Sequence, residues 1–250
     1  MFSALAFLTP LGRASKPGVR TMEWFAFVGA AIGLAVGVVW WGASKAFPPL
    51  VAAGLTVAAD AVLTGGLHLD GLADTADGLL PPLSRERRLD VMRDPALGAF
   101  GAVALATVIL LRFASLSATR PAVLVVAGMW GLSRAAMAVM AWTMPYARDD
   151  GLASAFLTGS DYGAAGAVVR PNPGARAGAL LGAGLATCIV LALLGRGGHG
   201  LAALAATAAG CAAVALFAWK RIGGFTGDVL GAAGVMGETI GLVVLSARWT

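Results

Sequence analysis

The sequence predicts an all-α fold, a polytopic transmembrane helix bundle of about seven spans with its N-terminus in the cytoplasm. Three observations lead to this prediction. Of the 250 residues, 58% are hydrophobic and only 12% are charged, roughly half the charged fraction of an ordinary soluble domain. The mean hydropathy is +0.82. Several apolar stretches run for about 20 residues, the length needed to cross the hydrocarbon core of a bilayer.

The apolar stretches define the spans in order. The short apolar segment Phe2–Pro10 is expected to lie in the membrane interface or to re-enter. No long polar stretch could form a separate soluble unit, so residues 1–250 are predicted to be a single integral membrane domain. The seven predicted spans are Trp24–Ser44, Phe47–Leu69, Leu97–Ala118, Pro121–Pro145, Ala177–Gly195, Gly200–Trp219 and Val229–Ala247.

The charged residues predict the orientation. The N-terminal segment and the connections 70–96, 146–176 and 220–228 contain 12 Lys and Arg residues, whereas the opposite side contains four. Positive charge accumulates on the cytoplasmic side of membrane proteins. Eleven of the 13 acidic residues lie in or beside the same connections, which that rule does not require. An excess of both signs on one face therefore indicates an active surface there.

Three aspartates mark the end of the second apolar stretch. Asp70, Asp74 and Asp77 lie in the acidic motif 64–78, and their spacing of i, i+4, i+7 places them on one face of a helix. Neighbouring carboxylates repel each other near a low-dielectric boundary, and a cation would relieve that repulsion. Hard oxygen ligands suit Mg²⁺, which shares its coordination sphere with water and substrate phosphates. We therefore predict a magnesium site; the alternative is a solvated acidic helix end.

An arginine-rich segment follows the acidic motif. Guanidinium groups match phosphate oxygens in two-point geometry, so Arg88 and Arg93 are expected to bind phosphate, with Asp94 beside them as a further metal ligand. Arg85 and Arg87 are instead expected to contact anionic lipid headgroups. Because Asp94 precedes a proline, its alternative role is to cap the start of the next helix.

Two more arginines belong to the predicted face or lie beneath it. Arg134 is in the middle of a span, where a charge is costly and is usually paired and functional. We expect it to bind phosphate; the alternative is a buried ion pair with Asp60 or Glu238. Arg148 follows directly after that span, on the inner side, and is also expected to bind phosphate.

The remaining candidate site residues are at the start of the last span and at the one histidine of the acidic motif. Thr226 is expected to contact substrate, and Asp228 lies at a helix start, where it could cap the helix or reach a metal. His68 is about 200° round the helix from Asp70, so it does not share the carboxylate face. It is either a general base or a hydrogen-bonded interior histidine.

Together these segments resemble the cobalamin synthase family, the adenosylcobinamide-GDP ribazoletransferases. The resemblance extends from Phe7–Thr9 to Gly237–Glu238, and the acidic motif 64–78 is its most specific element. One departure is Pro10–Arg13, where the family has Arg followed by a Leu-Pro pair. The supporting motifs, in order, are Met92–Asp94 with Gly98 and Gly101, Ser133–Arg134, Tyr146–Arg148 with Gly151, and Thr226–Asp228 with Leu230–Ala232.

The resemblance implies a membrane transferase that joins adenosylcobinamide-GDP to α-ribazole, or to its 5′-phosphate, with release of GMP. It implies Mg²⁺ as cofactor and a multi-pass location in the bacterial inner membrane, with the active face in the cytoplasm. Within that reaction Asp70, Asp74 and Asp77 would hold the metal, and Asp94 or Asp228 would complete its ligands. A remaining carboxylate or His68 would take the acceptor proton. The residues expected to take part in catalysis are Asp74, Asp77, Asp94, Arg93 and His68.

Two other classes remain open from the sequence. The aspartate pattern is loosely similar to that of CDP-alcohol phosphotransferases, although the Ala-Arg pair that follows in those enzymes is absent here. A corrinoid or cation transporter would use Asp60, Arg134 and Glu238 as an intramembrane relay. The lipid bilayer is an expected partner, nucleic acid is not, and a homo-oligomer is left open.

Overall fold

The computed structural model describes residues 1–10, 19–148 and 174–248. Within these residues the regular structure is helical, and the one β-type feature is an isolated parallel bridge between Tyr146 and Phe225. A short 3₁₀ helix, Val19–Trp24, precedes the second α-helix. The α-helices are α1 (Phe2–Leu8), α2 (Phe25–Ala46), α3 (Pro49–Leu63), α4 (Leu67–Leu79), α5 (Arg85–Val91), α6 (Ala99–Ala118), α7 (Val123–Thr143), α8 (Gly174–Ile222) and α9 (Gly227–Leu245).

The all-helical membrane fold predicted from the sequence is confirmed, and the count of seven spans is approximate. Among the described residues, five helices are long and apolar enough to cross a bilayer, and α3 with α4 brings the number to six if that bent pair is one span. The 49-residue α8 contains non-helical backbone at Arg196 and Gly197. Arg196 donates to the carbonyl of Arg120, whereas Ile222 at the end of α8 accepts from Arg85. Its two halves therefore run between opposite ends of the bundle.

The second predicted span, Phe47–Leu69, is not one straight helix, and this is a correction to the prediction. The chain bends by 89° between α3 and α4. Gly65 and Gly66 form the bend with φ values of 62° and 71°, a backbone region that residues with a Cβ adopt only at a cost. The bend turns α4, with its three aspartates, across the end of the bundle.

Small residues let α2 and α7 approach closely. Gly29, Gly33 and Gly37 recur every four residues on α2, and a Cβ on Gly33 would lie 2.7 Å from the carbonyl oxygen of Val126. Close contact between backbones is how helices associate in lipid, where burial of apolar surface gives no driving force. This contact holds Trp130 and Arg134 of α7 in the centre of the bundle.

A buried ion network joins four helices within the membrane. Arg112 of α6 pairs with Asp60 of α3 at 2.6 Å and with Glu238 of α9 at 2.7 Å. On α7, Trp130 donates to Asp60, and Ser133 and Arg134 donate to Glu238. The distances are 2.9 Å for Trp130 Nε1 to Asp60 Oδ1 and 2.7 Å for Ser133 Oγ to Glu238 Oε1, and Arg134 Nη1 contacts the same Oε1.

Arg112 is a charged residue that sequence reasoning missed, although a lone arginine within the apolar run Leu97–Ala118 was a usable signal. Its side chain is buried and contacts both carboxylates. The network confirms the ion-pair alternative for Arg134, which contacts Glu238. Two guanidinium groups face two carboxylates, so the charges balance and the cost of burial is offset.

Candidate active site

Three connections meet at the end of the bundle that carries α4 and α5. Arg85 donates to the carbonyls of Ile222 at 2.9 Å and Ala147 at 3.1 Å. The amide of Ala147 donates to Phe225 at 2.9 Å. Arg85 therefore ties the connections together, a role that the sequence did not predict. The connections 70–96, 146–176 and 220–228 were expected to share one face, and their described parts do lie at the same end of the bundle. Residues 149–173 lie outside the described chain.

A cavity of about 280 Å³ opens among these connections. Its polar lining consists of Asp70 and His68 from α4, Arg148 after α7, and Asp228 from α9. Its apolar lining includes Phe7 of α1, Leu67, Met137, Tyr146 and Leu230. Predicted site residues that are far apart in the sequence thus surround one space.

Two glycines bring α4 and α9 close enough to share that cavity. A Cβ on Gly71 would lie 2.8 Å from the carbonyl oxygen of Asp228, and one on Gly231 would lie 3.2 Å from the Cα of His68. Real Cβ atoms rarely tolerate either approach, so these positions need glycine. The contact places the aspartates of α4 beside Asp228.

The three aspartates of α4 have different surroundings. Asp70 is exposed at the cavity, Asp74 is half-buried and Asp77 is buried. Asp77 accepts hydrogen bonds from the backbone amides of Gly98 at 2.8 Å and Gly101 at 2.9 Å. These amides belong to the start of α6, whose N–H groups have no partner within the helix. Asp77 therefore caps α6 from another helix.

The cap supplied by Asp77 corrects the alternative role given to Asp94. Helix α6 begins at Ala99, and Asp94 accepts instead from the amide of Ala96 at 2.9 Å. Asp94 and Arg93 are both exposed, and neither belongs to the lining of the cavity among the described residues.

Arg88 is directed at the end of α4. Its Nη1 donates to the carbonyls of Gly78 at 3.0 Å and Leu79 at 2.7 Å, and the side chain is buried. Burial lowers the pKa of the Arg88 guanidinium from its ordinary value, and the charge of Arg221 lowers it further. Arg88 thus satisfies carbonyls that a helix end leaves without partners. It fixes the position of α4 relative to α5.

Arg148 and Asp228 form an ion pair in the wall of the cavity. Arg148 Nη2 lies 2.9 Å from Asp228 Oδ2 and 3.2 Å from the carbonyl oxygen of Met92. Asp228 is in the first turn of α9, but the cap is Thr226, whose hydroxyl accepts from the amide of Val229 at 3.3 Å. The same hydroxyl donates to Asp228 at 3.2 Å. Thr226 and Arg148 together orient the Asp228 carboxylate.

The donor set suits a hard divalent cation that is shared with a substrate. Asp74 lies within electrostatic range of Asp228, Asp70, Arg148 and Asp77, so four carboxylates, one of them engaged with the start of α6, are opposed by one guanidinium. Within the described chain, no three Asp, Glu, His or Cys side chains are close enough to hold an ion by themselves. Mg²⁺ commonly uses one or two carboxylates, with water and phosphate oxygens as its other ligands, so one or two of Asp70, Asp74 and Asp228 would fit this ion.

His68 lines the cavity, and Arg134 lies beneath it. His68 is 5% exposed, and its Nδ1 has no hydrogen-bond partner among the described residues. Arg134 is buried one turn before the lining residue Met137 and is bound to Glu238. The cavity therefore lies next to the intramembrane ion network, and the charge of Arg134 lies one helical turn from its lining.

Comparisons with known proteins agree with this arrangement. A family model described as cobalamin-5-phosphate synthase matches residues 1–246. An adenosylcobinamide-GDP ribazoletransferase of Azorhizobium caulinodans is 43% identical over 82% of this chain and 75% of its own length. Proteins with the same name from Leptothrix cholodnii and Escherichia coli are 36% and 32% identical. The alignments cover 93% and 98% of this chain and 89% and 98% of the relatives.

No solved structure matches this chain significantly. The family model nevertheless spans nearly the whole sequence, from the helix that contributes Phe7 to the end of α9. It includes the acidic motif, the start of α9 and the connections that surround the cavity. The chain belongs to the cobalamin-5-phosphate synthase family.

Proposed function

We propose that this chain is an adenosylcobinamide-GDP ribazoletransferase of the bacterial inner membrane, with its active face in the cytoplasm. The observation that carries the proposal is the convergence of Asp70, Asp228 and Arg148 in the lining of one cavity at a single end of the bundle, with Asp74 within electrostatic range of all three. The names of the relatives favour this reaction over a CDP-alcohol phosphotransferase or a transporter. The adenosylcobinamide-GDP and the riboside would both be substrates.

The reaction is a displacement at phosphorus. A ribose hydroxyl that is free in both α-ribazole and its 5′-phosphate forms a bond to the phosphorus next to the cobinamide arm, so that any 5′-phosphate stays in the product. The bond between the two phosphates breaks, and GMP leaves with the bonding electrons. A proton lost from the attacking hydroxyl passes to a carboxylate of the cluster or to His68. Such reactions depend mostly on positioning and on neutralising charge.

Arg148 would provide the positive charge at the reacting phosphates. It is fixed by the carbonyl of Met92 and by Asp228, so little reorganisation is needed when charge develops on the phosphate oxygens. Arg93, exposed beside Met92, would bind the outer phosphate. Arg134 would act from below through its charge.

Mg²⁺ is the cofactor that this donor set would take. One or two of Asp70, Asp74 and Asp228 would hold it, with water and phosphate oxygens as its other ligands, and when bound it would neutralise charge on the diphosphate. Asp77 is engaged with the start of α6 and Asp94 with its own turn, so we leave both outside this ligand set.

The test is GMP release by the purified protein in lipid nanodiscs, with and without Mg²⁺. Replacing Asp74 by Asn keeps the shape of the side chain and removes its charge. We expect turnover to fall by about 10²–10³-fold, the range seen when one group that stabilises the transition state is lost. The melting temperature should stay unchanged. Near-wild-type turnover of the Asp74→Asn variant would remove Asp74 from the site.

A further inference from the structure

The cavity has an apolar wall that phosphoryl transfer does not use. Asp70, Arg148 and Asp228 account for the charged part of its lining. His68 and two glycines also line it, and Phe7, Leu67, Met137, Tyr146 and Leu230 form the apolar wall. A mainly apolar pocket with a few placed polar groups is the usual form of a site for a small organic ligand.

Two of the wall residues are aromatic, and each is supported by a buried ring. Phe7 is stacked on Phe25 with ring centroids 5.8 Å apart and an interplanar angle of 19°. Tyr146 contacts Phe225 edge to face at 5.4 Å. Phe25 and Phe225 are buried. Rings that are already fixed lose little conformational freedom when a flat ligand binds to them.

The size of the cavity distinguishes between the two substrates. A volume of about 280 Å³ accommodates a two-ring heterocycle with part of its sugar, whereas a corrin macrocycle is far larger. The corrinoid must therefore remain outside this space.

The chemistry of the wall distinguishes between the two bases. Guanine carries exocyclic groups that need hydrogen-bond partners, and burying them without partners costs free energy. A benzimidazole has no exocyclic hydrogen-bonding groups, and the side chains of Phe7, Leu67 and Leu230 offer none, so the Tyr146 hydroxyl is the one strong hydrogen-bonding group in the wall. We infer that the apolar wall of this cavity binds the aromatic base of the acceptor riboside and that Phe7 is a specificity-determining residue for that base. This inference rests on the proposed function.

A second cavity serves as the alternative location. It has a volume of about 490 Å³ and lies between α4, α6, α8 and α9, with Leu72, Val108 and Phe217 among its lining residues. No charged side chain lines it among the described residues. A riboside bound there would have no ionic group next to its sugar. We therefore place the base in the smaller cavity.

The test compares Phe7→Ala with Phe217→Ala, two variants that each remove a partly buried ring from one cavity. Because stacking of a base on an aromatic ring typically contributes the equivalent of about five- to 100-fold in affinity, we expect Phe7→Ala to raise the KM for α-ribazole by at least fivefold. The kcat and the KM for adenosylcobinamide-GDP should change less than twofold. Phe217→Ala should change neither KM.

Equilibrium binding of α-ribazole alone gives a second readout, and two further variants address folding. Phe7→Tyr keeps an aromatic ring and should restore affinity, whereas Phe7→Leu keeps much of the volume and should not. Melting temperatures identify any variant that has lost its fold.

Three results would overturn the inference. In the first, Phe7→Ala raises the KM for adenosylcobinamide-GDP and not that for the riboside. In the second, Phe217→Ala lowers the affinity for the riboside and Phe7→Ala does not. In the third, neither variant changes the affinity for the riboside. In each case the wild-type protein would still release GMP, so the proposed function would stand. Absence of GMP release by the wild-type protein would contradict the proposed function itself.

Discussion

The protein contains two clusters of acidic and basic side chains that differ in one respect. In the intramembrane ion network, both oxygens of Asp60 and of Glu238 accept from a named donor, and two guanidinium groups balance two carboxylates. At the site, Asp70 and Asp228 line the cavity with Arg148, and Asp74 lies within electrostatic range of all three. The site therefore has more carboxyl groups than guanidinium groups beside an open space.

On the proposed function, the two clusters differ in role: the charges of the network hold the helices together, and those at the cavity act on substrate. A charge in lipid needs a partner in the folded chain, and the network supplies it. A charge at the membrane surface can remain partly unpaired, ready for a cation or a phosphate. Replacements in the network should therefore act mainly on stability, and replacements at the cavity mainly on turnover.

The largest effect on stability is expected for Glu238→Ala. The change leaves Arg112 and Arg134 without the carboxylate that both contact, and removing one partner of a buried ion pair typically costs about 3–5 kcal/mol. Thermal unfolding in detergent, with tryptophan fluorescence as the signal, measures the loss. Glu238→Gln, which keeps the shape and an acceptor oxygen, should lose less. Equal melting temperatures for Glu238→Ala and the wild type would show that the network does not hold the helices together.

The contact between α4 and α9 beside the cavity can be weakened by one methyl group. In Gly71→Ala the new Cβ meets the backbone of Asp228, and overpacking of this kind typically costs about 1–3 kcal/mol. It should also lower turnover, because it moves Asp74 away from Asp228. Gly42→Ala on α2 is the matched control, since a Cβ there has nothing within 4 Å. We expect that control to be neutral or slightly stabilising. A Gly71→Ala variant as stable and active as Gly42→Ala would contradict the close packing of α4 on α9.

Much of this fold could be predicted because its cause lies in composition. An apolar run of membrane length can be recognised without knowing which helices it packs against. Most helices therefore lie near their predicted positions. The bend between α3 and α4 was harder to predict: Gly65 and Gly66 are visible in the sequence, but glycine is common within membrane helices. Only the positive φ values show that these two turn the chain.

The site could be predicted only as a set of residue types. Helical spacing places Asp70, Asp74 and Asp77 on one face, but it cannot show that the start of α6 packs against Asp77. That contact depends on Gly98 and Gly101, more than 20 positions away in the sequence. The same reason applies to Arg88, whose partners are carbonyls at the end of α4. A local helix cap has a signature in the sequence, but a hydrogen bond from a side chain to the backbone of a distant segment has none.

The smallest effect is expected for Asp77→Asn, which separates the two roles given to the acidic motif. An amide side chain can still accept one of the two backbone hydrogen bonds, but it loses the charge that favours a helix start. We expect stability to fall by about 1 kcal/mol and turnover to change only a few fold. Asp74→Asn, three residues earlier, should show the opposite pattern. If Asp77→Asn abolished turnover at an unchanged melting temperature, Asp77 would belong with the metal ligands. It would then have to be counted among the functional charges and not among the structural ones.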